Sequence, residues 1–294
     1  MKRLKDSLSL FFTGFFMGSA DIVPGISGGT IAFIMGIYQR LIETVHFLTG
    51  DFIRMILKGK FKKAFNSFPF DFVIPLALGL FTAIISLAKL VSFLLEHYPA
   101  FIWSFFLGLI IASVLIISRK VKVWSFRKLA VFIISALFAF WLVGLVPVVT
   151  PDTLPMIFLS GSLAICAMIL PGISGSLLLV VMGKYEQILS AVIDKNVIVL
   201  GVFFIGALLG LSLFSRLLHW LLKHFYNMTL VGLMGFMIGS LRKVWPWKDA
   251  TLGHNIFPQF NLDFVYTLFF LIVGVLFILY LSKIQSYKEK NNGK

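Results

Sequence analysis

A short polar tract inside otherwise apolar sequence occurs twice in this chain, as Pro24-Gly25-Ile26-Ser27-Gly28 and, 147 positions later, as Pro171-Gly172-Ile173-Ser174-Gly175. The same offset pairs Gly14 with Gly161, Met35-Gly36 with Met182-Gly183, and Tyr38 with Tyr185. A second ungapped match, at an offset of 127, pairs Gly79 with Gly206, Lys89 with Arg216, His97 with His224, Gly108 with Gly235 and Ser113 with Ser240. The offset changes because the first half has the longer basic stretch, residues 46–71. Self-similarity of this extent restricts the fold to two copies of one unit, expected at 1–149 and 150–294.

The medium in which these units fold follows from polarity. The chain is 59% hydrophobic and 13% charged, with a mean hydropathy of +0.99. A soluble domain carries about a quarter charged residues, so this chain cannot cover itself with polar surface in water. We expect an all-α integral membrane protein, which excludes a cytosolic enzyme, a secreted disulfide scaffold and a disordered tail. One cysteine, Cys166, can form neither an internal disulfide nor a Cys-based metal site, and no metal or cofactor is expected. The net charge of +14 resides in short loops rather than in a basic stripe with exposed stacking aromatics, so nucleic acid is not an expected partner. Residues 1–23 imitate a secretory signal peptide, but the segment that follows recurs later in the chain, so they are expected to stay in the mature protein.

Ten apolar segments can be drawn, at about 8–23, 27–45, 72–95, 100–118, 129–148, 154–170, 174–193, 197–222, 228–241 and 264–282, most of them long enough for a ~30 Å hydrocarbon core. Five per half is an odd number, so the second half enters the membrane from the opposite side. With the N-terminus in the cytoplasm, eighteen loop Lys and Arg residues fall inside and four, Lys195, Arg242, Lys243 and Lys248, fall outside. Cytoplasmic loops carry such an excess, which predicts two inverted-topology repeats with both termini cytoplasmic.

No polar loop separates the first two segments of either half. Each such pair is therefore expected to be a re-entrant helical hairpin whose tip lines a polar cavity, followed by three transmembrane helices. At the tips, Pro24 and Pro171 end one helix, Gly25 and Gly172 permit a sharp turn, and Ser27 and Ser174 can cap the next helix. Gly28, Gly29 and Gly175 would let a ligand reach the backbone, and the hydroxyls of Ser27, Thr30, Ser174 and Ser176 add donors. Two helix N-termini aimed at one point suit an anion, phosphate in particular. The alternative is that Pro, Gly and Ser only allow kinking and close helix packing.

Charges inside apolar runs are costly and informative. Asp21 has Met168 as its repeat mate, so it breaks the symmetry: it either orders or repels a bound anion, exchanges a proton, or is capped by the facing hairpin's donors. Lys89 and Arg216 either receive a departing phosphate or snorkel to the interface. Arg40, Glu43, Lys184 and Glu186 are expected as interfacial anchors, and His97 and His224 as interfacial side chains.

The stretch from Gly18 to Tyr38, with Leu170 to Ser176 and Gly183-Lys184-Tyr185-Glu186, resembles the bacterial family once known only as a domain of unknown function and since assigned as polyprenyl-phosphate transporters. The resemblance covers essentially the whole chain. It implies return of undecaprenyl phosphate, a carrier lipid, from the outer to the inner leaflet of the bacterial cytoplasmic membrane, with the lipid and the bilayer as partners and no catalysis. It carries the family's motif onto Asp21, Pro24, Gly25, Ser27, Gly28, Gly29, Thr30, Pro171, Gly172, Ser174 and Gly175. Undecaprenyl-diphosphate phosphatases are a similar class with a Pro-Gly-x-Ser-Arg-Ser segment. Here Gly28 and Gly175 stand at the Arg position, and no acid-base partner accompanies either tip. A small-anion channel or exchanger would use the same helix dipoles.

Overall fold

The computed structural model describes residues 2–23, 27–121, 123–148, 150–249, 254–258 and 260–292, with side chains from Asp6 to Lys283. Among these there is no strand, only an isolated bridge between Lys248 and Asn255. The helices are α1 (Lys2–Asp21), α2 (Gly28–Ile34), α3 (Tyr38–Phe47), α4 (Ile53–Leu57), α5 (Phe61–Ser67), α6 (Phe70–His97), α7 (Pro99–Ser118), α8 (Phe126–Leu142), α9 (Leu154–Ile169), α10 (Gly175–Val181), α11 (Tyr185–Ile193), α12 (Val197–His224), α13 (Tyr226–Ser240) and α14 (Leu262–Asn292). A π-helical turn, Leu48–Phe52, joins α3 to α4, so the basic 46–71 stretch is itself helical.

Helix ends follow local chemistry. Ser125 Oγ accepts from Lys128 N to cap α8, Asn196 Oδ1 accepts from Val199 N to cap α12, and Pro99 opens α7, where its missing N–H costs nothing. The second segment of each half, expected as one helix, is broken. Gly36 (φ +70°) and Gly183 (φ +64°) take the left-handed conformation that ends a helix. Around Gly36, Gly36 N donates to Phe33 O and Ile37 N to Ala32 O; around Gly183, Gly183 N donates to Val180 O and Lys184 N to Leu179 O. This is one Schellman stop used twice, and α10 and α11 diverge by 106° across it.

Four helices, α6, α7, α12 and the Leu262–Lys283 part of α14, are long and apolar enough to cross a membrane, and the bent α10–α11 pair would be a fifth. The expectation that most segments are of spanning length is thus met by fewer helices. The second segments are broken, and α13 with 15 residues and α9 with 16 are roughly 23–24 Å long, short of a ~30 Å core.

Glycines set the closest helix crossings. A Cβ on Gly79 of α6 would lie 1.9 Å from Phe11 O of α1, and one on Gly206 of α12 would lie 2.1 Å from Phe158 O of α9. Gly108 of α7 meets Leu271 O of α14 at 2.1 Å, and Gly235 of α13 meets Phe132 O of α8 at 2.4 Å. These are pairs of repeat mates, and each lets two backbones touch, the usual basis of helix association in lipid. The contact of α1 with α6 is matched by that of α9 with α12 within the other half, while the contacts of α7 with α14 and of α13 with α8 tie each half to the other. Buried residues concentrate on α7 and α13, which contact each other, while α6, α12 and α14 turn large side chains such as Phe81, Ile85, Phe204, Leu213 and Phe269 outward. Such a belt is untenable in water and ordinary in lipid.

Candidate functional site

The two polar tips meet. α1 ends at Asp21, and Val23 is fully buried behind it. Pro24 and Gly25, named in the sequence as turn-makers, lie outside the described residues. The chain resumes at Ser27, the extended N-cap of α2, whose Oγ accepts from Gly29 N at 3.0 Å and donates to Met168 O, near the end of α9, at 2.8 Å. In the other tip, Gly172 (φ +91°) turns the chain and donates its N–H to Thr30 Oγ1 at 2.9 Å. Tyr38 OH donates to Ile169 O at 3.2 Å. Three hydrogen bonds therefore join the first tip and its helices to the second, and Ser27, Thr30, Tyr38, Pro171 and Gly172 are buried at the junction.

The electrostatics of the two tips differ. Gly28 N, at the positive end of α2, donates to Asp21 Oδ1 at 2.6 Å. The carboxylate belongs to the same hairpin, so it is capped by its own tip and not by the facing one. It occupies the position that a helix N-terminus offers to an anion. At the equivalent place in the second tip stands Met168, which contributes only its carbonyl. Ser174 makes no side-chain cap bond to α10 and instead pairs with Ser176 Oγ at 2.7 Å, and both serines are half-buried.

The glycines expected to admit a ligand are closed by the protein itself. A Cβ on Gly28 would meet Asp21 Oδ2 at 2.6 Å, one on Gly29 would meet Ile169 O at 2.8 Å, and one on Gly175 would meet Ala164 O at 2.6 Å. Absence of a side chain at these three positions serves close packing of the tips, and of the three only Gly28 is covered by the Asp21 carboxylate.

Other expected residues lie apart. Lys89 and Arg216 are exposed on α6 and α12 and make no described hydrogen bond to a tip residue. Arg216 neighbours His46 and His219, whose rings stack at 4.8 Å. Arg40 pairs with Asp71 at 2.8 Å, both exposed, as an interfacial anchor would. Lys184, expected at the interface, is fully buried: its Nζ donates to Thr150 O at 3.0 Å and Asp152 Oδ1 at 2.5 Å, tying the α9 lead-in to the α10–α11 break. Desolvating an ammonium is costly unless it is paired, and this one is. His97 and His224 are exposed, each ring nitrogen set on a carbonyl four residues back. Tyr38 is the residue that sequence reasoning undervalued. Its signal, pairing with Tyr185, is misleading because Tyr185 is largely exposed. Among the described residues no three His, Cys, Asp or Glu side chains group as metal ligands.

Known proteins resemble this chain over most of its length. The family profile described as undecaprenyl phosphate translocase-like matches residues 17–256. A polyprenyl-phosphate transporter of Vibrio cholerae is 42% identical over 243 residues, covering 83% of this chain and 79% of the relative. A polyprenyl-phosphate transporter of Staphylococcus aureus is 33% identical over 255 residues, covering 79% of this chain and 84% of the relative. No solved structure matches.

Proposed function

Because the chain belongs to the undecaprenyl phosphate translocase-like family, we propose that it transports a polyprenyl phosphate, returning undecaprenyl phosphate from the outer to the inner leaflet of the cytoplasmic membrane so that the carrier lipid is reused. The protein sits there as two inverted repeats, 1–149 and 150–294, with re-entrant hairpins and both termini cytoplasmic. The paired helix contacts of the two halves and the eighteen-to-four loop charge bias support this reading.

The observation that carries it is the junction of the two tips, with Asp21 seated on Gly28 N. The carboxylate takes the place at the α2 N-terminus that a lipid phosphate would occupy. An arriving phosphate displaces it and takes the Gly28 N–H and the hydroxyls of Ser27, Thr30, Ser174 and Ser176, with Gly29, Gly172 and Gly175 keeping the two tips closely packed around it. When the lipid leaves, Asp21 returns and the site does not stay empty. Lys89 and Arg216 then meet the phosphate on its way to either face. These groups bind charge, but among the described residues no base is hydrogen-bonded to a tip serine: Ser27 Oγ donates to Met168 O, and Ser174 and Ser176 pair with each other, so transport proceeds without hydrolysis.

The test is reconstitution. In liposomes carrying undecaprenyl phosphate in both leaflets, an added phosphatase should hydrolyse the whole pool when the protein is present and only the outer-leaflet share when it is absent. Correctly folded Gly28→Leu protein should behave as if no protein were there. If the wild type leaves the inner share protected, or if it alone releases phosphate from undecaprenyl diphosphate, the transporter reading is wrong.

A further inference from the structure

Away from the tips, a cavity of about 440 Å³ opens between the α6–α7 turn, residues 246–248 and 256–257, and the start of α14, with His97, Tyr98, Lys248, Asn261 and Asp263 among its lining. An apolar groove of about 540 Å³ adjoins it, running between α6, α7 and α14 over Leu94, Phe105 and Phe270. Tyr98 and Phe101 line both. The groove's lining also includes Ser19 of α1, a helix that ends at the first tip, so polar mouth and apolar groove share a wall and the groove reaches the helix that leads to the tip.

Lys248 is placed with care. Its backbone is held by the bridge to Asn255 and by Ile256 N donating to Trp247 O at 3.0 Å. Its Nζ lies 4.7 Å over the Trp103 ring and donates to Lys243 O at 3.0 Å. Among the described residues it forms no ion pair, although Asp263 lines the same cavity. Burial, and after it the charge of Lys243, hold the Lys248 ammonium below the usual lysine range, so an anion beside it relieves both. Arg242, Lys243 and Lys248 are also three of the four loop cations on the side where positive charge is otherwise scarce.

We propose that this cavity and groove form one amphipathic capture site for a polyprenyl monophosphate, with the Lys248 ammonium on the phosphate, His97 beside it, and the prenyl chain laid along Tyr98, Phe101 and Phe105 toward the tips. The proposal rests on the reading of the protein as a polyprenyl-phosphate transporter. It adds an entrance where the lipid is first held before its phosphate reaches Gly28.

The experiment uses the full chain in detergent and farnesyl phosphate as a soluble probe, with inorganic phosphate, farnesol and phosphatidic acid in parallel. Farnesyl phosphate bearing a diazirine on its terminal isoprene should crosslink within α6, α7 or α14. Lys248→Gln should weaken its binding by about tenfold or more, as loss of a charged hydrogen bond does. Lys248→Arg should retain it, which separates a lost charge from a misfolded protein. Asp263→Asn should strengthen binding by removing a competing carboxylate. Inorganic phosphate and farnesol should each compete poorly, and phosphatidic acid should compete less well than farnesyl phosphate. Unchanged affinity in Lys248→Gln, equal competition by phosphatidic acid, or crosslinks confined to residues 164–182 would overturn the capture site. In the first and last cases the wild type would still move undecaprenyl phosphate in liposomes, whereas failure of the transporter reading would abolish that movement itself.

Discussion

Asp21 decides what the junction of the tips can do. It is a carboxylate on the first N–H of α2, where its charge meets the helix dipole. Asparagine at this position keeps an oxygen acceptor for Gly28 N but removes the negative charge that a phosphate must displace. Asp21→Asn is therefore expected to bind the lipid phosphate more tightly and to turn over more slowly, because release is no longer driven by the returning carboxylate. Equilibrium binding and liposome flux, measured on the same preparation, check both halves of the statement; unchanged affinity in the Asn variant would remove Asp21 from the cycle. The sequence made Asp21 conspicuous as a charge without a repeat mate, and the polar types at Ser27, Thr30 and Ser174 were equally visible. Its partner was not legible, because the donor that reaches the carboxylate, Gly28 N, lies seven positions further along the chain. For the same reason Lys184 looked interfacial: Thr150 and Asp152, which bury and satisfy it, come from more than thirty positions away.

Helix pairs are held by repeat glycines, and α12 contains a built-in control. Gly206 faces the Phe158 carbonyl with no room for a methyl group, while Gly201, five residues earlier in the same helix, has nothing within 4 Å of its Cβ position. Gly206→Ala must push two backbones apart, and overpacking of this kind typically costs about 1–3 kcal/mol. Gly201→Ala meets no obstacle and gains about 0.5–1 kcal/mol from reduced backbone freedom in the unfolded chain. Thermal unfolding in one detergent should show the first variant melting below the wild type and the second at or above it; equal melting of the two would mean that the α9–α12 contact is not set by Gly206. Element boundaries were legible where apolar runs end in Pro, Ser or charge, as at 99–118 and 154–169, expected at 100–118 and 154–170. The breaks at Gly36 and Gly183 were hidden because they lie within continuous hydropathy. Their recurrence as Met-Gly was visible, but a helix stop there depends on a left-handed glycine, which hydropathy does not register.

The molecule as a whole cannot be cut between its halves. α7 of the first half packs on α14 of the second, and α13 of the second packs on α8 of the first, so each half completes the other. An exchange of partners of this kind relates two copies of one unit without fixing the direction of the axis between them. The inverted repeats proposed above place that axis in the membrane plane, and they predict that equivalent loops face opposite sides. The loop before α6 carries Lys60, and the corresponding connection before α12 carries Asp194, with both residues exposed. The proposed orientation puts the first in the cytoplasm, in keeping with the five Lys and Arg residues that crowd 54–63, whereas Lys195 stands alone in its connection. In a Cys166→Ser background, cysteine at Asp194 should react with a membrane-impermeant thiol reagent in intact cells, and cysteine at Lys60 should react only after the membrane is opened. Reaction of both in intact cells would place the two connections on one side and make the repeats parallel. Reaction of Lys60 alone would keep the inversion and reverse the orientation, moving the Lys248 cavity to the cytoplasmic face. The lipid would then be collected from the inner leaflet, so this labelling experiment fixes the direction from which the capture site is approached.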